Sequence, residues 1–153
     1  MRNLINIIKY LGISLALFFS LNNWEPVEEE IKPDYSQLKT LLTLKPSAWG
    51  QKINAKMYNA ALDLTYPESD FETETVYAKN AWDLFQYETT YTFKNVEIVN
   101  WAFKPEEGTV RLTGEFSESG GHYRTCNIRL ILQGDDPLEL TEWKLESFVP
   151  TSP

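Results

Sequence analysis

Apolar positions change their period three times along this chain. From Leu4 to Leu21 nearly every position is apolar or small, and Tyr10 to Leu21 is unbroken. Asn22 to Pro33 is acidic, contains proline and has no period, which is the signature of a linker. From Asp34 to Phe85 the apolar residues recur at helical spacing, and from Tyr87 to Val149 they alternate as in strands.

The helical stretch divides into three predicted elements. Asp34 is suited to cap a helix running through Leu44, with Leu38, Leu41, Leu42 and Lys45 on one side, which Pro46 is expected to end. Ser47 then caps a second helix with Ile53, Met57, Ala60, Ala61 and Leu64 on one face, stopped by Tyr66-Pro67. Ser69 and Glu72 form a capping-box pair before a third, which carries Val76, Tyr77, Ala81, Leu84 and Phe85 as its apolar set.

Four strands follow. In Tyr87 to Lys104, one parity holds Tyr87, Thr89, Tyr91 and Phe93 and returns with Val99, Trp101 and Phe103, while Val96 and Ile98 take the other. A bulge or bend near Lys94-Asn95 reconciles them. Val110, Leu112 and Phe116 alternate with Arg111, Thr113 and Glu115, and Cys126, Ile128, Leu130 and Leu132 share a face of the third strand. The last strand, Leu138 to Val149, sets Trp143 and Leu145 between Glu142, Lys144 and Glu146. Short turns at 105–108, 117–121 and 133–137 join neighbours into an antiparallel meander. Its apolar face requires the helices as cover, so the fold class is α+β, with Trp101, Leu112, Ile128 and Trp143 buried beneath them. The other face carries Arg111, Glu115, Arg129, Glu142 and Lys144, read as a charge ladder facing water.

The 4–21 segment changes the setting. Arg2 and Lys9 flank Leu11, Leu15, Phe18, Phe19 and Leu21 on the N-terminal side, with Leu4 and Ile8 between them, and glutamates follow. This order predicts an N-terminus inside, the lipid bilayer crossed by residues 4–21, and a domain outside. Residues 1–21 form a signal-anchor, 22–33 the linker, 34–149 the domain and 150–153 a tail. The unbroken run is also the length of a signal-peptide core, so secretion after cleavage is the alternative. Extracytoplasmic here means a bacterial periplasm or cell surface.

Composition narrows the chemistry. A formal charge of −8, with no basic stripe, makes nucleic acid an unfavourable partner. Hydrophobic content of 42% supports a real core. One Cys and one His give no intramolecular disulfide and no tetrahedral metal site within the chain, so no metal and no cofactor is expected. Cys126 lies about 13 Å along the strand from His122, too far for a nucleophile–base pair, and reads as core. Tyr58, Asp63 and Tyr77 are residue types used in acid–base sites, but a solvated helix face accounts for Asp63. The chain offers no catalytic set.

One constellation remains. His122 and Arg124 share parity with Cys126, which would turn them toward the apolar side at the strand's start. With Trp101 and Trp143 on the same predicted face, these four are candidate ligands for a small anion. The plainer reading is that His122 follows a Gly-Gly turn into water.

Helices before strands, a long bent first strand, and the ending Leu140 to Phe148 (LTEWKLESF) together resemble the NTF2-like (cystatin-like) superfamily of α+β cones. The resemblance covers roughly Asp34 to Val149. It implies a curved sheet wrapped around a helix. The superfamily holds enzymes such as ketosteroid isomerase and scytalone dehydratase. It also holds assembly domains, including the periplasmic part of single-anchor factors of type IV secretion and conjugation systems, whose plan this chain is similar to with a shorter anchor and a smaller helical layer. On that basis the expected role is a non-enzymatic assembly or accessory subunit bound to membrane proteins, with homo-oligomers possible. The alternative is a periplasmic ligand-binding or hydrolyase/isomerase-like domain using the cone interior.

Overall fold

The computed structural model describes residues 32–151. The expected membrane segment lies outside them, as does nearly all of the linker. Among the described residues no helix is long and apolar enough to cross a membrane.

Among the described residues three helices precede four strands: α1 (Ser36–Asn54), α2 (Tyr58–Leu62), α3 (Asp70–Phe85), β1 (Tyr91–Lys104), β2 (Thr109–Glu118), β3 (Arg124–Leu132) and β4 (Trp143–Pro150). The strands form one open antiparallel sheet in the order β1-β2-β3-β4, so each pairs with its neighbour in sequence as the short turns require. The α+β class and the meander are as the sequence predicts.

Pro46 does not end the first helix; α1 runs through it. An interior proline costs about 3 kcal/mol. Continuing, however, lays Trp49 and Ile53 fully into the core on the face that already holds Leu38 and Leu42. At about 2 kcal/mol or more for each large apolar side chain, that burial outweighs the proline. Ser47 therefore sits inside α1 and caps nothing. The break falls later, at Ala55-Lys56, where Lys56 adopts φ +60°. The Asn54 side chain there receives the Tyr91 amide at 2.8 Å and donates to the Tyr91 carbonyl at 3.0 Å. Past this break Met57 is exposed, and Tyr58 and Ala61 supply the buried face of α2.

Ser69 caps α3 as predicted, whereas the N-cap position of α1 falls to Tyr35, which makes no side-chain cap bond, and Asp34 stands one residue before it. Asp34 Oδ1 accepts the Ser36 amide at 2.9 Å, which lowers the Asp34 pKa, and Ser69 Oγ accepts the Glu72 amide at 3.1 Å. The face of α3 departs from expectation. Phe71, Thr75, Ala78 and Ala81 are buried, while Val76, Tyr77, Leu84 and Phe85 are exposed. The small residues at 78 and 81 let the helix approach closely, and the larger side chains are left on the far side.

β1 carries the decisive irregularities. Between Lys94 and Glu97 it has one residue more than β2, with Asn95 at φ +52°, so the bulge expected at Lys94-Asn95 is present. A second irregularity follows: Ile98 pairs with Leu112 and Phe103 with Val110, so five steps of β1 face two of β2. Trp101 lies in that excess and turns outward, 75% exposed, with Ala102 buried in its place. The expectation that Trp101 is core is therefore incorrect. Leu112, Ile128 and Trp143 are buried as expected.

Trp49 is the hub of the core. Its ring meets Phe71 edge-on at 4.9 Å and Tyr91 at 4.8 Å, and Phe71 and Phe116 each pack on Phe148, at 4.9 and 5.3 Å. Gly50 permits this approach, since a Cβ there would stand 2.8 Å from the Tyr91 carbonyl oxygen. The other margin of the sheet is partly closed. Leu64 and Tyr66 exchange backbone hydrogen bonds with Leu145 of β4, at 2.9 and 2.8 Å.

Candidate functional site

The four residues predicted to converge are separated by the fold. Trp143 is wholly buried, and its indole N–H donates to the Pro137 carbonyl at 2.8 Å, tying down the loop before β4. Trp101 stands on the opposite, outer face of the sheet. His122 is exposed between β2 and β3, as the plainer reading has it. Arg124 is exposed too, yet its guanidinium lies 4.9 Å from the Phe116 ring, on the inward side that parity predicts. Of the four, only Arg124 reaches the margin of the interior.

Arg124 borders an open recess of about 390 Å³ between the start of α3 and the ends of β2, β3 and β4. Phe116 and Phe148 line it with Asp70, Glu74 and Glu118. Glu74 is already engaged, because its carboxylate accepts the Tyr91 hydroxyl at 2.6 Å. Burial, and then that carboxylate, push the Tyr91 pKa well upward, so the phenol stays protonated as a donor. Glu74 and Tyr91 thus hold each other, and sequence reasoning singled out only Arg124 in the recess because its lining comes from four elements without a local motif.

The remaining acid–base candidates behave as structure. Cys126 is fully buried, and burial raises its thiol to about 11, the opposite of an activated nucleophile. Tyr58 is buried, Tyr77 is exposed, and Asp63 sits at the exposed end of α2, its backbone carbonyl accepting the Lys144 ammonium at 2.6 Å. Lys45, which the sequence groups with the apolar side of the first helix, is a buried charge on α1: burial, then the nearby Lys144 charge, lower its pKa to about 8. Among the described residues, no group of three or more His, Cys, Asp or Glu side chains is placed to hold a metal.

Two surface features stand out instead. On the far side of α3, Phe85 is 77% and Leu84 72% exposed, and Tyr77, Phe85 and Tyr87 border a shallow apolar depression. On the outer sheet face, a groove of about 500 Å³ runs from Val99 and Trp101 on β1, past Arg111 and Arg129, to Ser147 and Val149 on β4. The expected charge ladder on this face is interrupted at its centre. Arg111 pairs in register with Arg129, like against like. The bulge at residues 94–97 was the available signal for Trp101; carrying the switched parity through residue 101 turns it outward.

No protein-family model matches the chain, and no curated protein matches it.

Proposed function

We propose that this chain is a membrane-held, extracytoplasmic protein-binding subunit with an NTF2-like domain, serving assembly and not catalysis. One observation carries the reading. The space between helices and sheet is filled by Trp49, Phe71, Tyr91, Phe93, Phe116 and Trp143, while Trp101, Leu84 and Phe85 face outward. A small-molecule enzyme of this architecture needs room and converging polar groups inside. Here the large aromatics occupy the interior, and the unusual apolar exposure is external, where another protein reaches it. The tether follows the same logic, since residues 4–21 in a bilayer would hold the domain at high effective concentration beside a membrane partner.

Placement is tested by fusing a reporter that is active only outside the cytoplasm after Pro153; it should be active, and carbonate washing should leave the full-length protein in the membrane. Release of a product beginning near Asn22 would favour the secreted form. Assembly is tested by isolating the full-length protein from mildly solubilised membranes on native gels. A complex larger than the chain, containing a membrane protein, is expected. A lone chain carrying a small ligand would instead support the ligand-binding alternative.

A further inference from the structure

Arg111 and Arg129 occupy directly opposed positions on β2 and β3, both on the outer face. Like charges directly opposite one another across a sheet are destabilising. The sequence has 22 acidic residues against 14 basic ones, so two of the scarcer cations are concentrated where they repel each other. Arg129 is partly compensated by Glu146 at 3.2 Å, whereas Arg111 has no carboxylate within ion-pair distance among the described residues. Beside Arg111, with its guanidinium 5.8 Å from the ring, stands the exposed Trp101. Local conflicts of this kind collect where a protein meets something else.

From this geometry we infer that the groove binds an acidic, extended segment of a partner polypeptide, one carboxylate lying between Arg111 and Arg129. The inference rests on the assembly reading and names its surface. Arginine forks engage carboxylates bidentately, and a bound carboxylate would offset the repulsion between them. Charge complementarity selects the occupant, since two cations on an acidic protein favour an anion that the rest of the surface repels.

The spacing specifies the segment further. In an extended chain, side chains two residues apart share a face at about 6.6 Å. That compares with the 5.8 Å from Trp101 to Arg111, so an aromatic residue two before the acid would rest on Trp101. From β1 to β4 the groove spans three strand spacings, about 14 Å, close to the reach of four extended residues. An aliphatic residue two after the acid would then lie toward the exposed Val149. The recognised pattern is aromatic-x-acid-x-aliphatic, with Asn127 and Ser147 beside its backbone.

The probe is the labelled peptide Ac-Gly-Phe-Ser-Glu-Ser-Val-Gly-amide, titrated into the full-length protein in detergent at low salt. It should bind saturably and shift Trp101 fluorescence, and the Gln-for-Glu peptide should bind about tenfold more weakly. R111Q/R129Q should abolish binding, R111K/R129K should recover part of it, and Arg124→Gln should change nothing. Equal binding of both peptides, or none, overturns the inference. Free glutarate competing at the peptide's own concentration also overturns it, as that marks a small-carboxylate site. In membranes, the wild-type chain should co-isolate its partner and R111Q/R129Q should not. If the variant retains the partner, the groove is refuted while the assembly reading stands; if the wild-type chain brings nothing down, both fall.

Discussion

The Trp49 indole N–H donates to Thr75 Oγ1 at 2.8 Å, joining α1 to α3 inside the core, and the Thr75 hydroxyl in turn donates a hydrogen bond to the Phe71 carbonyl at 2.7 Å. Both side chains are fully buried, so neither has water as a substitute partner. Thr75→Val keeps the shape and strands the indole donor. It should cost about 1–3 kcal/mol in urea denaturation. In a Trp49→Phe background the same change should cost clearly less, because no donor is then left unpaired.

Gly50 gives a prediction opposite to the usual one. Alanine in place of a mid-helix glycine ordinarily stabilises by about 0.5–1 kcal/mol. At this position the added methyl meets a backbone oxygen, the Tyr91 carbonyl, and backbone yields poorly. Gly50→Ala should therefore destabilise by about 1–3 kcal/mol, read as a lowered melting temperature.

Lys45 makes stability depend on pH. Its folded pKa is about 8 against an ordinary 10.5, so between those values the unfolded chain holds a proton that the folded chain has shed. The penalty for burying the ammonium is full below about pH 8 and fades as pH rises toward 10.5. Lys45→Met should stabilise the protein by about 1–3 kcal/mol at neutral pH. Its advantage over wild type should shrink across that window, as paired denaturation curves will show.

Much of the fold was legible because it rests on local chemistry. Asp34 and Ser69 announce helix starts, Gly- and Pro-containing turns separate the strands, and Leu112, Ile128 and Trp143 keep their alternation. The misread residues depend on distant partners. Pro46 is tolerated because of what Trp49 finds across the interior, a gain no window around the proline contains. Trp101 departs from its expected parity because the side chains beyond the bulge face according to the pairing with β2, which no local window contains. The pairing of Arg111 with Arg129 needs a register, which the turn between β2 and β3 did not specify closely enough to read. The Arg124 recess joins four elements, and alternation pointed to Arg124 alone.

The central claim is that the domain works by contact with a membrane partner through its surface and tether, not through its interior margin. The measurement is the amount of partner co-isolated from native membranes by two altered chains. One carries His122→Ala with Arg124→Ala; the other has residues 1–21 replaced by a cleavable signal peptide. Wild-type recovery is expected with the first and a strong loss with the second. Loss on changing His122 and Arg124, with full recovery from the freed domain, would contradict the claim and favour a ligand site at the Arg124 recess.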